Sequence, residues 1–338
     1  MKRYFALFLF LAFDILLYFI MKSNDDLWIL AAFLGSICIT AETVLRLIYG
    51  CIEQNANKAW IVRYAKIITD IMGFTIFLFA ILFFIQDVML FHPNNSPFCH
   101  SYTLSHPGFT QITVDDGNKS YKGIMRKNDG EEPSPLIIFF IGNATNAAEM
   151  MYSMDTAGMW DSFLNYNLLI MDYPGYGLNG GTPTSDNIYR EALITYDNVV
   201  NQPYVNRNEI IIGGVSIGTG PAVYLAANRR AKGLFLLAPY ANGYDLCNNV
   251  LPIFRGPMRL LVRNKLLSEK YAASISVPTL LVAAKNDETV PFSSSEKLRE
   301  HFRVEPEFIV LSGVGHNRIM ANAKTLNSIK NFLISISK

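Results

Sequence analysis

The pentapeptide Gly214-Val215-Ser216-Ile217-Gly218 constrains this chain more than any other feature. An apolar run over 209–215 leads into it, and a small-residue-rich helical stretch over 217–228 leads out. A chain that passes from strand to helix so abruptly must turn sharply, and flanking glycines permit contacts that side chains would block. Ser216 then projects from the strand end with its hydroxyl accessible. A glycine-rich phosphate loop is the other use of such a turn. Here no Lys completes a P-loop, and the G-x-G-x-x-G spacing is absent.

The surrounding pattern sets the architecture. Short apolar runs at 135–141, 167–171, 209–215, 232–237, 277–283 and 307–311 are interspersed with helical stretches near 146–163, 187–200, 217–228 and 324–336. Runs with no polar face imply a mainly parallel sheet covered by helices on both faces. Ahead of them, 109–114 and 121–126 flank Asp116-Gly117, the signature of an antiparallel hairpin. In such sheets, ligands gather at the carboxyl ends of the strands.

A serine hydroxyl needs a base to take its proton. His301 and His316 are the histidines that follow Ser216. His316 lies in Gly313-Val314-Gly315-His316, directly beyond the last strand, whereas His301 falls in a charged helical stretch over 295–302 and reads as a surface residue. His316 is therefore the expected base. The acid that orients it belongs at the end of the preceding strand, where Asp287 is the first choice, Glu288 the second and Asp245 a distant third. An oxyanion hole needs two backbone N–H donors. Ile217 supplies one, and the loop 142–146 the other, with Asn143 ahead of its neighbour Ala144.

Composition matters at the N-terminus. Hydrophobic residues make up 51% of the 338 and charged residues only 17%, and the apolar excess lies before about residue 91. Stretches 4–20, 27–49 and 67–91 approach the roughly 20 apolar residues that a membrane span needs, although Asp14, Glu42, Arg46, Asp70 and Asp87 interrupt or flank them. No small-residue cleavage site follows the first, so it reads as an anchor and not a leader. The expectation is a bundle of about three transmembrane helices over 1–91, a Pro/Asn/Ser/His-rich linker over 92–107 and a catalytic domain over 108–338. Lys2, Arg3, Lys58, Arg63 and Lys66 place the N-terminus and the 51–66 loop in the cytoplasm and the catalytic domain on the opposite side. There Cys99 and Cys247 could pair or stay free. A net charge of +1 gives no footprint for nucleic acid, and the four cysteines lack metal-ligand spacing. No cofactor is expected.

With these residues in view, the chain resembles the membrane-anchored branch of α/β-hydrolase-domain proteins that includes lysophospholipid lipases and protein depalmitoylases. The matching pieces are Gly142-Asn143-Ala144, Asp172-Tyr173-Pro174-Gly175-Tyr176-Gly177, Gly181-Thr182-Pro183 and the turn at Ser216. Further matches are Ala238-Pro239-Tyr240, Met258-Arg259-Leu260-Leu261, Asp287-Glu288-Thr289-Val290-Pro291-Phe292 and Gly315-His316. The resemblance runs from about residue 108 to the C-terminus and implies an α/β-hydrolase fold and serine-hydrolase chemistry. Two positions depart from it: Ile141 stands where the family usually has His, and Pro174 where it tends to have Arg.

Substrate is read from the segment 240–276, the expected cap. It sets Leu251, Ile253, Phe254, Met258 and Leu260 beside Arg255, Arg259 and Arg263, which suits an acyl chain on an anionic head group or an ordinary amphipathic helix. Met150, Met151, Met154 and Trp160 are candidates for an acyl pocket or for the core. A lipid carboxylic ester, as for a lysophospholipase or monoacylglycerol lipase, is the favoured substrate. An acyl thioester is the runner-up, and a non-catalytic membrane-tethered interaction module is the third reading.

Overall fold

In the computed structural model the described residues are 43–44, 59–128, 130, 133–163 and 165–337. The chain divides into two compact units, residues 1–86 and 87–338. Helix α1, Ala59–Leu90, begins in the first unit and its last four residues belong to the second. Its 32 residues contain no proline, so nothing interrupts the backbone hydrogen-bond ladder. The segment 63–83 is long and apolar enough to cross a membrane, and it leaves Ile67, Ile68, Ile71 and Phe74 exposed. A single such helix among the described residues does not support the expected three-helix membrane region. The stretches 4–20 and 27–49 lie outside the described residues, except for Thr43 and Val44.

The second unit is built on one eight-stranded sheet of order β1-β2-β4-β3-β5-β6-β7-β8. The strands are β1 Phe109–Asp115, β2 Ser120–Arg126, β3 Ser134–Phe140, β4 Asn167–Met171, β5 Val205–Val215, β6 Gly233–Leu237, β7 Thr279–Ala284 and β8 Glu307–Leu311. The expected hairpin forms β1 and β2, and β2 pairs antiparallel with β4. All other pairings are parallel, with Ile138 opposite Leu169 on one side and Ile212 on the other. Every residue of β4, β6 and β7 is buried, which a sheet achieves only with both faces covered. Each such Leu, Ile or Val contributes about 1.5–3 kcal/mol on leaving water.

The covering helices are α2 His100–Ser105, α3 Ala147–Thr156, α4 Ser185–Val199, α5 Thr219–Asn228, α6 Gly243–Val250, α7 Ser268–Ala272, α8 Phe292–Glu300 and α9 Ala323–Ser337. Asn146, Thr184 and Asn242 cap α3, α4 and α6, each accepting from the N–H three residues on. The expected helix over 146–163 stops at Thr156, and a separate 3₁₀ turn follows at Trp160–Ser162. The polar run over 92–107 is not a bare tether. It holds α2 and buries Cys99, His100 and Thr103, so it packs as part of the second unit. Cys99 and Cys247 are both buried free thiols, not a disulfide, and burial pushes the Cys247 thiol up to about 11.

This topology locates a site. β4 lies on one side of β3 and β5 on the other. The connection leaving β3 runs toward β4 on one side and that leaving β5 toward β6 on the other, so a crevice opens at the carboxyl ends of these two neighbours.

Candidate active site

Ser216 follows β5 directly and opens a 3₁₀ turn, Ser216–Gly218, before α5 begins. Its φ is +54°, a left-handed conformation that a non-glycine residue adopts only when its surroundings impose it. The two glycines explain how. A Cβ on Gly214 would sit 2.5 Å from the Gly218 carbonyl oxygen, and one on Gly218 would sit 2.3 Å from that of Phe140. Both obstacles are backbone atoms, which cannot rotate away. Closure of the turn thus requires hydrogen at Gly214, and its close approach to the end of β3 requires hydrogen at Gly218.

The loops after β7 and β8 bring the expected partners to Ser216. His316 Nε2 lies 2.9 Å from Ser216 Oγ, and His316 Nδ1 lies 2.9 and 2.8 Å from the two carboxylate oxygens of Asp287. Asp287 Oδ1 also accepts from the N–H groups of Thr289 and Val290 at 2.9 and 2.8 Å, which fix the carboxylate plane. Only 2% of the Asp287 side chain and 10% of the His316 side chain is exposed, so water does not dilute the pairing. Glu288 acts elsewhere, its Oε2 accepting from the backbone N–H of His316 at 3.1 Å. Asp245 accepts from the Ser294 hydroxyl at 2.7 Å, and His301 is exposed with Nδ1 against the Lys297 carbonyl. Neither belongs to the constellation.

The loop after β3 forms the facing wall. Ile141 is buried, and its carbonyl accepts from the Tyr173 hydroxyl at 2.8 Å. Burial pushes the Tyr173 and Tyr176 phenols well above their ordinary range, so both act as donors. Asn143 Oδ1 accepts from Tyr176 at 2.7 Å and from the Ala144 N–H at 3.1 Å. Ile141 supplies only a buried side chain, while Tyr173 holds the loop backbone and Tyr176 the Asn143 side chain.

Between the loop and Ser216 lies a cavity of about 450 Å³. Met150, Met154, Met159 and Met320 give it an adaptable apolar wall, and Glu149 is the carboxyl residue in its lining. Of the other residues expected from sequence, Met151 is in the core, and Trp160 donates to Asp155 and stacks under Arg126. The expected cap departs most. No residue of 240–276 lines this cavity. Instead Cys247, Phe254 and Val262 form a small core of their own, and Asn249 donates to the carbonyls of Glu288 and Thr289, bracing the acid loop. Sequence reasoning misses Met159, Met320 and Glu149, because nothing local marks which side chains of a helix or loop will face a distant serine.

No family model matches the chain. Among curated proteins it is 27% identical over 197 residues to alpha/beta hydrolase domain-containing protein aho-3 of Caenorhabditis elegans, covering 58% of this chain and 57% of the worm protein. It is 26% identical over 197 residues to human alpha/beta hydrolase domain-containing protein 17B, covering 58% and 65% respectively. The match thus spans less than two thirds of either relative. Among solved structures, 2,6-dihydroxy-pseudo-oxynicotine hydrolase superposes with a TM-score of 0.59 at 16% identity, covering 70% of this chain and 71% of that one. Est1E of Butyrivibrio proteoclasticus gives 0.55 at 18%, covering 67% and 98%. The second unit has the α/β-hydrolase fold.

Within that fold, the serine stands on the turn after β5, the carboxylate after β7 and the histidine after β8. These are the positions where residues far apart in sequence meet at the carboxyl ends of the strands.

Proposed function

We propose that this protein is a serine hydrolase that cleaves acyl esters through an acyl-enzyme on Ser216. The observation that carries the reading is the continuous Ser216–His316–Asp287 hydrogen-bond chain at the floor of a methionine-walled cavity. His316 Nε2 takes the Ser216 proton as Oγ attacks the carbonyl carbon and later delivers it to the leaving oxygen. Asp287 holds Nδ1–H and stabilises the imidazolium that forms. Water activated by His316 then frees the acyl group. The developing oxyanion is received by the N–H groups of Ile217 and Asn143. Asn143 is preferred to Ala144 because the Ala144 N–H is already engaged by Asn143 Oδ1.

The methionine wall supports a hydrophobic acyl group, and the charges in the lining narrow the head group. Arg255, Arg259 and Arg263 do not line the cavity, whereas Glu149 does. An anionic head group would meet a carboxylate and no cation there. A neutral ester of monoacylglycerol type, or an acyl thioester, is therefore favoured over a lysophospholipid. The apolar segment 63–83 supports tethering at a membrane, with the catalytic domain on the non-cytoplasmic side by the positive-inside bias. Protease digestion of sealed vesicles tests that side.

A fluorophosphonate probe tests the chemistry. Wild-type protein is expected to label and Ser216→Ala is not. Labelling that persists in the variant would remove Ser216 as nucleophile, and a silent wild type would favour the non-catalytic interaction module. Hydrolysis of neutral, anionic and thioester substrates side by side ranks the substrate classes.

A further inference from the structure

The segment between α1 and α2 makes an unusual set of contacts. The Leu90 carbonyl accepts from Asn143 Nδ2 at 2.7 Å, and the His92 N–H donates to Asn143 Oδ1 at 2.8 Å. Asn94 Nδ2 donates to the Ala144 carbonyl at 3.2 Å and to Glu149 Oε2 at 2.7 Å. Asn146 Nδ2 in turn donates to the carbonyls of Asn94 and Ser96 at 3.2 and 3.3 Å. The loop that faces Ser216 is thereby joined to residues 90–96 through Asn143, Ala144 and Asn146, and through Glu149 just beyond them. The Asn94 carbonyl also accepts from Gly177 at 3.0 Å, in the same turn as Tyr176.

We infer that the strap Leu90–Ser96 is a positioning element for the catalytic reaction, holding the oxyanion loop in its working conformation through Asn94. This rests on the serine-hydrolase reading above.

Two observations separate positioning from mere docking. First, the strap is anchored at both ends without these bonds. Asp87 is buried and pairs with Arg263 Nη1 at 2.9 Å and Asn264 Nδ2 at 2.5 Å, Phe91 is in the core, and Cys99 and His100 are buried beyond it. The bonds from Asn94 are not needed to keep the strap in place. Second, the loop needs an external hold. Ala144 adopts φ +57°, a left-handed conformation that costs a non-glycine residue about 1–3 kcal/mol and persists only where neighbours over-determine it. Its N–H is taken by Asn143 Oδ1 and its carbonyl by Asn94. Without Asn94 the carbonyl is released, the left-handed turn at Ala144 loses its hold, and the loop can relax away from the geometry in which the Asn143 N–H meets the oxyanion. Catalysis by such donors depends on their being set before charge develops. A misplacement of about 1 Å from a remote change can lower a rate on the order of 100-fold.

Asn94 touches neither Ser216 nor His316 in this network, so its role is positioning. The polar run Pro93-Asn94-Asn95-Ser96 reads as a solvated tether, and only the folded contacts reveal its partners.

The experiment uses full-length Asn94→Ala beside wild type, with a neutral p-nitrophenyl acyl ester and a trifluoromethyl ketone that mimics the tetrahedral adduct. A drop in kcat of roughly 10- to 100-fold is expected, with KM within about threefold. Ketone affinity should weaken in parallel, with the pH midpoint of kcat/KM unchanged because the triad is untouched. Asn94→Asp keeps the side-chain shape and the acceptor for the Ser96 N–H but has no donor for the Ala144 carbonyl, so it should lose at least as much. If Asn94→Ala fails to fold, that isosteric variant carries the test. A kcat within twofold of wild type or a loss confined to KM would overturn the inference. Wild type that is not labelled by fluorophosphonate would instead overturn the serine-hydrolase reading on which it rests.

Discussion

Replacing Asp287 by Asn probes the site most directly, since it changes one atom and leaves the packing in place. In the folded protein, Asp287 Oδ1 accepts from Thr289 and Val290 at 2.9 and 2.8 Å, and Oδ2 lies 2.8 Å from His316 Nδ1. In Asp287→Asn the amide oxygen keeps the two backbone donors, because the amide nitrogen cannot accept from them. The NH₂ group is then forced toward His316 Nδ1 and can only donate. The imidazole must present a lone pair at Nδ1 and carry its proton on Nε2, 2.9 Å from Ser216 Oγ. In that tautomer Nε2 donates to the hydroxyl and cannot take its proton. The expected loss in kcat at neutral pH is about 10⁴-fold, by analogy with the same change in a serine protease triad. That corresponds to about 5.4 kcal/mol in the barrier. The assay is steady-state hydrolysis of a neutral p-nitrophenyl ester, with fluorophosphonate labelling rate and thermal melting measured on the same preparations. A melting point close to wild type, with a large fall in both rates, is the expected pattern. Activity within tenfold of wild type would refute the reasoning, because the tautomer would then not be under the control of Asp287.

Two further outcomes concern the packing around the site. Gly218→Ala would place a Cβ 2.3 Å from the Phe140 carbonyl oxygen and 2.4 Å from that of Ile141. It should destabilise by about 1–3 kcal/mol or more and slow labelling of Ser216, and a denaturant midpoint equal to wild type would count against the close approach of the turn to β3. Glu191 is wholly buried on α4, with Oε1 accepting from the Thr195 hydroxyl at 2.7 Å, and burial pushes its carboxyl from 4.5 up to about 8. The folded state then holds a proton that the unfolded state has lost between those values. This contribution is fully favourable below about 4.5 and falls by about 1.4 kcal/mol per pH unit as pH rises toward 8. Glu191→Gln should flatten that window in urea melts at pH 5 and 8, whereas equal slopes in the two proteins would rule out a buried neutral carboxyl.

Local sterics make much of this protein readable from its residues alone. The hairpin around Asp116-Gly117 and the apolar runs of β3, β4, β6 and β7 lie within two residues of their expected ends, and burial on both faces leaves those four runs a composition that loops do not have. The turn at Ser216 is legible for a similar reason. Gly214 and Gly218 are demanded by backbone contacts within a few residues and the adjoining strand. Chain order then places a histidine after the last strand and a carboxylate after the one before it.

The fold class and the residues that local geometry singles out are thus legible from the chain alone. Tertiary structure decided how the loops meet. Asp287 and Glu288 are adjacent in sequence, yet one reaches the His316 ring and the other its backbone N–H. Four methionines from α3, the loop after it and the segment after His316 converge on one cavity, while 240–276 packs elsewhere. Residues 92–96, which read as a tether, are joined to the loop that faces the serine. Each of these depends on distances between segments far apart in the chain, or on side-chain direction at a turn. Composition and periodicity carry no information about either, since a hydrogen-bond partner is selected by where the rest of the chain comes to lie.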